Sequence, residues 1–202
     1  MGQSHLNLSA LIGSRICHDL ISPVGAINNG LELLNMSGAV QGPELDLIGQ
    51  SVGSATARIR FFRIAFGAAG EQSVGRAEVV SILRDLYSGG RLSVDWTPEE
   101  PQSRNITRMV FLAILCLETA MPYGGRIAIE VQDGHWKLRA TADKISVDPD
   151  LWALLENPDQ SDKLQPAHVQ FVLLPMIASD IGRLVGSQLV TQPDETTLTI
   201  RL

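Results

Sequence analysis

Residues 14–34 read SRICHDLISPVGAINNGLELL, and this stretch organises the chain. Apolar residues fall at Leu8, Ile12, Ile16, Leu20, Val24, Ile27, Leu31 and Leu34, spaced three or four apart. That spacing predicts one amphipathic helix, from near His5–Leu8 to near Asn35. Pro23 falls inside it and removes a backbone hydrogen bond, but the stripe stays in phase beyond it. One bent helix is therefore expected. His18 lies two residues from both Ile16 and Leu20, about 200° around the helix. It projects from the polar side, in the row Ser14, His18, Ser22, Gly25 and Asn29. An imidazole on a shelf of small side chains leaves room for a partner; the plain alternative is a solvated surface histidine.

Working outward, MSGAVQGP is a loop of small residues. Gly42-Pro43 suits a helix start, with proline at the first helical position. The next helix carries Leu45, Ile48, Val52, Ala55, Ile59, Phe62 and Phe66, a heptad-like seam. Its other face holds Glu44, Gln50, Ser51, Ser54, Arg58 and Arg60. Two long helices and a short loop make an antiparallel hairpin. One hairpin buries both seams poorly. Two copies face to face form a four-helix bundle, so a homodimer is expected; otherwise the hairpin packs on the rest of its own chain.

GAAGEQSVG (67–75) is Gly-rich and aperiodic, and it divides the chain into 1–70 and 71–202. Beyond it, 77–87 reads as a short helix and 91–96 as a strand. A loop, TPEEPQSR, leads to an apolar helix over 106–121, stopped by Pro122–Gly125. Strands 126–131 and 135–141 flank Asp133-Gly134, a good hairpin turn. A short helix falls around Pro149–Glu156. An apolar helix over 167–185 is interrupted by Pro175, and strands 187–191 and 196–202 close the chain. The fold class is α+β: a helical hairpin followed by a two-layer α/β sandwich.

The 202 residues carry a net charge of −6, and 45% are hydrophobic. The charge argues against nucleic-acid binding, which wants a basic face. The apolar share argues for a packed core. No signal peptide is evident and no apolar run is long enough to span a membrane, so a cytoplasmic protein is expected. Cys17 and Cys116 sit in helical stretches without metal-ligand spacing, and read as reduced thiols. His135 with Asp133 or Glu130 lacks a third ligand, so no metal site is assigned. Gly124-Gly125 follows a helix C-terminus, the wrong polarity for a phosphate loop. His5, His135 and His168 read as bystanders.

His18-Asp19-Leu20-Ile21-Ser22-Pro23 resembles the H-box of sensor histidine kinases, and the hairpin-then-α/β layout resembles the same family over nearly the whole chain. FLAILCLETAMPYGGRIAIEV is similar to the helix–loop–strand around a kinase N-box, yet it offers only Glu118 where the kinase helix is Asn-rich. The kinase Asp-x-Gly-x-Gly is replaced by ADKISVDPD, and the Gly-rich loop before the last long helix by DQSDKLQPAH. Without those glycines, backbone amides lose their close approach to phosphates. The chain thus resembles the degenerate-kinase histidine phosphotransferases of the ChpT type, from bacterial two-component phosphorelays.

The resemblance implies that His18 carries the phosphoryl group, on Nε2. It implies that Asp19 orients the imidazole proton and that Ser22 can hold a water. Arg15, one turn before His18, can neutralise phosphoryl charge or meet an acidic receiver. Ile21, Gly25, Asn29, Arg58 and, less favoured, Asn28 are candidates for the partner-binding face. The implied partners are response-regulator receiver domains and the receiver of a hybrid histidine kinase. Mg²⁺ is expected on the receiver's carboxylates. No cofactor is expected on this chain, and no ATP-dependent kinase activity. A working histidine kinase and a non-catalytic receiver-binding scaffold are the other readings the residues leave open.

Overall fold

In the computed structural model the described residues are 13, 20–21, 24–34, 36, 42–68, 70, 72–160, 164–191 and 196–202. The chain separates into two compact units. One comprises Met1–Gly70 with Ser81–Leu86, the other Glu71–Val80 with Tyr87–Leu202.

In the first unit, residues 24–34 form helix α1 and Pro43–Ala65 form helix α2. Gly42 is the N-cap of α2 and Pro43 its first residue, as the Gly-Pro pair predicts. A Cβ added at the helical residue Gly13 would stand 3.3 Å from the carbonyl oxygen of Phe66, just past the end of α2. Gly13 thus lies beside the C-terminal end of α2. A third helix, α3 (Arg76–Tyr87), contributes its residues 81–86 to this unit. Arg60 donates to Asp85 at 2.9 Å and to Ser81 Oγ at 3.4 Å, and Arg84 donates to the other oxygen of Asp85. The Arg60–Asp85 pair is about one-third exposed, so it contributes at most about 1 kcal/mol.

The face that α2 buries differs from expectation. Ala57, Phe61, Ile64 and Ala65 are the buried residues of its second half, and Ile82 and Leu83 of α3 are buried in the same unit. At about 100° per residue this row lies roughly opposite the Leu45–Phe66 seam. None of the seven seam residues is fully buried. The apolar pattern of α2 thus serves two faces, one buried and the heptad seam half-buried, with Ile48 and Ala55 exposed.

In the second unit, strand β1 (Ser73–Val74) pairs antiparallel with β3 (Gln102–Ser103). Strands β2 (Leu92–Trp96), β4 (Gly125–Gln132), β5 (His135–Ala142), β6 (Gly186–Thr191) and β7 (Thr196–Arg201) form a mixed sheet in the order β2-β4-β5-β7-β6. Only β2 and β4 run parallel, joined through helix α4 (Arg104–Ala120). Asp133 and Gly134 both take positive φ, 50° and 77°, and reverse β4 into β5. Ile127, Ile129, Leu138, Ala140, Leu198 and Ile200 are buried on one face of the sheet. Helix α5 (Pro149–Ala153) and helix α6 (Gln170–Asp180) follow, and α6 packs on α4, which is buried from Met109 to Ile114. The architecture is a mixed α+β fold.

Local departures have local causes. The run 167–185 splits: a 3₁₀ turn spans Pro166–His168, and α6 stops at Asp180. Gly182, at φ 70°, donates to the Ser179 carbonyl, and Arg183 N–H to that of Ala178. This glycine cap ends the helix before Leu184 and Val185 can extend it. Pro175 lies inside α6 without interrupting it. Helix α5 is shorter than expected, with Asp148 capping Asp150 and Leu151. The short strands β1 and β3 lie in stretches read as loop.

Candidate functional site

His18, Asp19, Ser22 and Arg15, the centre of the expected site, lie outside the described residues, as do Cys17 and Pro23. Their flank is described. Leu20 and Ile21 are helical, 46% and 38% exposed. Gly25 is helical, and a Cβ there would meet no atom within 4 Å. Asn29 is exposed, whereas Asn28 is half-buried and spends its amide on Glu32, at 2.9 Å. Asn29, in the polar row with Gly25, is the more exposed of the two asparagines, in keeping with its helical phase. Arg58 of α2 is exposed, with its guanidinium 5.9 Å from the centre of the Phe62 ring. That cation–π contact holds the side chain along α2. Phe62 was read as a seam residue, and only its contact with Arg58, one turn away, reveals a second role.

The second unit contains the region likened to a kinase nucleotide pocket. Glu118, the one N-box-like carboxylate, accepts from Tyr87 Oη at 3.2 Å. Gln170 is buried and donates to Thr119 Oγ1 at 3.3 Å, which ties α6 to α4. Ser146 N–H bonds the Ala120 carbonyl at 2.8 Å, holding the segment after β5 against the end of α4. Trp152 of α5 stacks edge-on against Phe171 of α6, their centres 5.4 Å apart. These contacts tie α4, α6 and the segment between β5 and α6 to one another. Among the described residues no group of three or more His, Cys, Asp and Glu could hold a metal ion.

Two groups in this unit carry altered acidity. Burial pushes the Cys116 thiol well above its ordinary 9.0. Burial also lowers Arg108, helped by its neighbour Arg104 and opposed by Asp180. Neither is a candidate for chemistry: the thiol is sealed in α4 and neutral, and the guanidinium remains a cation at any working pH.

Comparison with known proteins gives consistent findings. The family model described as "Histidine phosphotransferase C-terminal domain" matches residues 76–191. The protein phosphotransferase ChpT of Brucella abortus (strain 2308) is 32% identical over 186 residues, which is 89% of this chain and 88% of that protein. A 1.7 Å structure of a bacterial phosphotransferase superposes with a TM-score of 0.64 at 25% identity, covering 98% of this chain and 94% of that one.

Proposed function

This chain belongs to the histidine phosphotransferase family, and we propose that it relays phosphoryl groups between receiver-domain aspartates of a two-component phosphorelay through phospho-His18. The observation that carries this reading is the family likeness over nine-tenths of a chain whose sequence holds the HDLISP box.

A receiver bearing an aspartyl phosphate docks on the shelf around Gly25 and Asn29. A neutral imidazole nitrogen of His18 attacks the phosphorus in line. The N–P bond forms as the P–O bond to the aspartate breaks, and the aspartate leaves as a carboxylate. The other ring nitrogen keeps its proton, and Asp19 orients it and balances the cationic ring. Arg15 faces the transferring charge. The same steps in reverse deliver the group to a second receiver. Positioning and charge neutralisation are the main catalytic demands, and Mg²⁺ sits on the receiver's carboxylates. Upstream, the donor is the receiver of a hybrid histidine kinase; downstream, the acceptors are response regulators. No described helix is long and apolar enough to cross a membrane, and the protein acts in the cytoplasm, where those partners work.

The active species is a homodimer built on a four-helix bundle. Eight of the thirteen large hydrophobic residues exposed among the described residues fall between Leu20 and Ile48. Such a concentration on one helical hairpin marks a face awaiting an apolar partner. The hairpin and its partner copy form the phosphotransfer domain, 1–70, and residues 71–202 form a degenerate ATPase-like domain that binds no ATP. The engagement of Glu118 by Tyr87 and the Gln170–Thr119 bond support this reading.

Two labelling reactions test it. The protein is mixed with radiolabelled ATP alone, and separately with a receiver already phosphorylated by its kinase. Label is expected only from the receiver. Label from ATP alone makes the chain a working kinase, and label from neither makes it a scaffold.

A further inference from the structure

Strand β6 ends the main sheet. It pairs with β7 on one side and has no described strand on the other. All residues from Ser187 to Thr191 are exposed. Sheet edges are commonly guarded by lysine, by proline or by inward charges, yet Ser187–Thr191 contains no proline and no charged residue. Leu189 lies opposite Leu198, whose side chain is in the core, but it is itself 48% exposed. An edge that leaves both its backbone and its apolar side chain open is suited to strand addition.

The opposite face of the sheet supplies charge. Glu130 lies opposite Lys137, Lys137 opposite Arg201, and Arg201 opposite Gly186, so one row crosses β4, β5, β7 and β6, with its cations on the side nearer the free edge. Beside this row is a cavity of about 470 Å³, walled by His135, Lys137, Arg201, Trp136, Leu184 and Leu202. Leu184 is 90% exposed. Its turn is pinned by Arg183, which donates to the carbonyls of Gly134 and Leu202 at 2.7 and 3.4 Å. Asp133 is the one acidic residue among the described lining. Arg201 already leans over β6, donating to Gln188 at 2.9 Å. In a chain of net charge −6, Lys137, Arg183 and Arg201 here outnumber Glu130 and Asp133.

We propose that β6 and this notch form a strand-addition site for an extended acidic segment of a partner protein. A residue of the added strand opposite Gly186 would project on the same face as Arg201 and Lys137, and glycine puts no side chain between them. Two strand spacings, about 9.6 Å, separate that residue's backbone from β7. A glutamate and an arginine side chain span this gap together. The alternate residues of the segment cover Leu189 on the other face. Charge selects the occupant: Ser187–Thr191 of a second copy carries no carboxylate to offer the cations. The site rests on no property of His18.

A fluorescein-labelled octapeptide of alternating Glu and Val tests the site on the full chain, with the alternating Lys and Val octapeptide as its control. The acidic peptide is expected to bind at least tenfold tighter by fluorescence anisotropy, a difference of about 1.4 kcal/mol. It is also expected to slow amide exchange within residues 186–191. Lys137→Gln and, independently, Leu189→Lys at an already half-exposed side chain should each weaken binding at least fivefold without moving the unfolding midpoint. Equal binding of both peptides, no binding at millimolar peptide, or protection confined to other strands would overturn the proposal. So would association of the protein beyond a dimer that Leu189→Lys abolishes, because the edge would then belong to a second copy.

Discussion

Cys116 shows how one side chain couples burial to pH. It sits in α4 with no exposed surface, and burial holds its thiol neutral beyond the ordinary 9.0. The unfolded chain loses that proton near 9.0 while the folded chain keeps it. Above that pH the unfolded state binds fewer protons, so stability falls as pH rises, by up to about 1.4 kcal/mol per unit. Chemical denaturation of Cys116→Ala and the parent across this range should give different slopes, the variant's being shallower. Parallel slopes would place the thiol's proton elsewhere in the balance. The H-box residues His18, Asp19 and Ser22 lie outside the described residues, so their candidacy rests on the HDLISP pattern and, for His18, on its helical phase opposite the apolar stripe. Arg58 was legible as a polar position but not as a partner of Phe62, because the seam pattern assigns Phe62 to packing alone.

Among elements, the junction from α4 to β4 is the most constrained. Gly124 takes φ 93°, and a Cβ there would stand 2.1 Å from the carbonyl oxygen of Arg91. The approach is this close because Gly125 N–H bonds that same carbonyl at 2.9 Å as β2 and β4 come together. Gly124→Ala should therefore cost about 2 kcal/mol or more, from both the clash and the left-handed backbone. Thermal unfolding checks this, and an unchanged midpoint would mean the junction can move aside. The two glycines were read correctly as a helix stop, but their tightness comes from a parallel neighbour over thirty positions away, invisible to a local reading. The same holds for β1 and β3, whose two residues each are too few to show a period. β4 and β5 were legible because each alternates around an Asp-Gly turn. The end of α6 was misjudged because Leu184 and Val185 prolong an apolar run that the Gly182 cap has already stopped.

For the whole molecule, the division of labour on α2 bears on the proposed dimer. Its Ala57, Phe61, Ile64 and Ala65 face is satisfied within the chain, while Ile48 on the opposite seam remains 47% exposed. Ile48→Asp should leave the fold of one chain intact and weaken self-association at least tenfold, because a carboxylate would have to be buried between the copies. Sedimentation velocity reads the outcome: a monomer with parental circular dichroism supports the four-helix bundle, and a persistent dimer assigns self-association to another surface. The mixed α+β character was legible from two periodicities, 3.5 then 2, on either side of a glycine-rich stretch. The basic notch beside β6 was not, since His135, Lys137, Arg201 and Leu184 come together only through strand register.

Phosphoryl transfer to His18 is tested most directly by following the label itself. The parent and a His18→Ala variant, shown to be folded by circular dichroism, are each incubated with a receiver phosphorylated to saturation. Acid-labile, alkali-stable label is expected on the parent and none on the variant. Label that persists on the His18→Ala variant would contradict it.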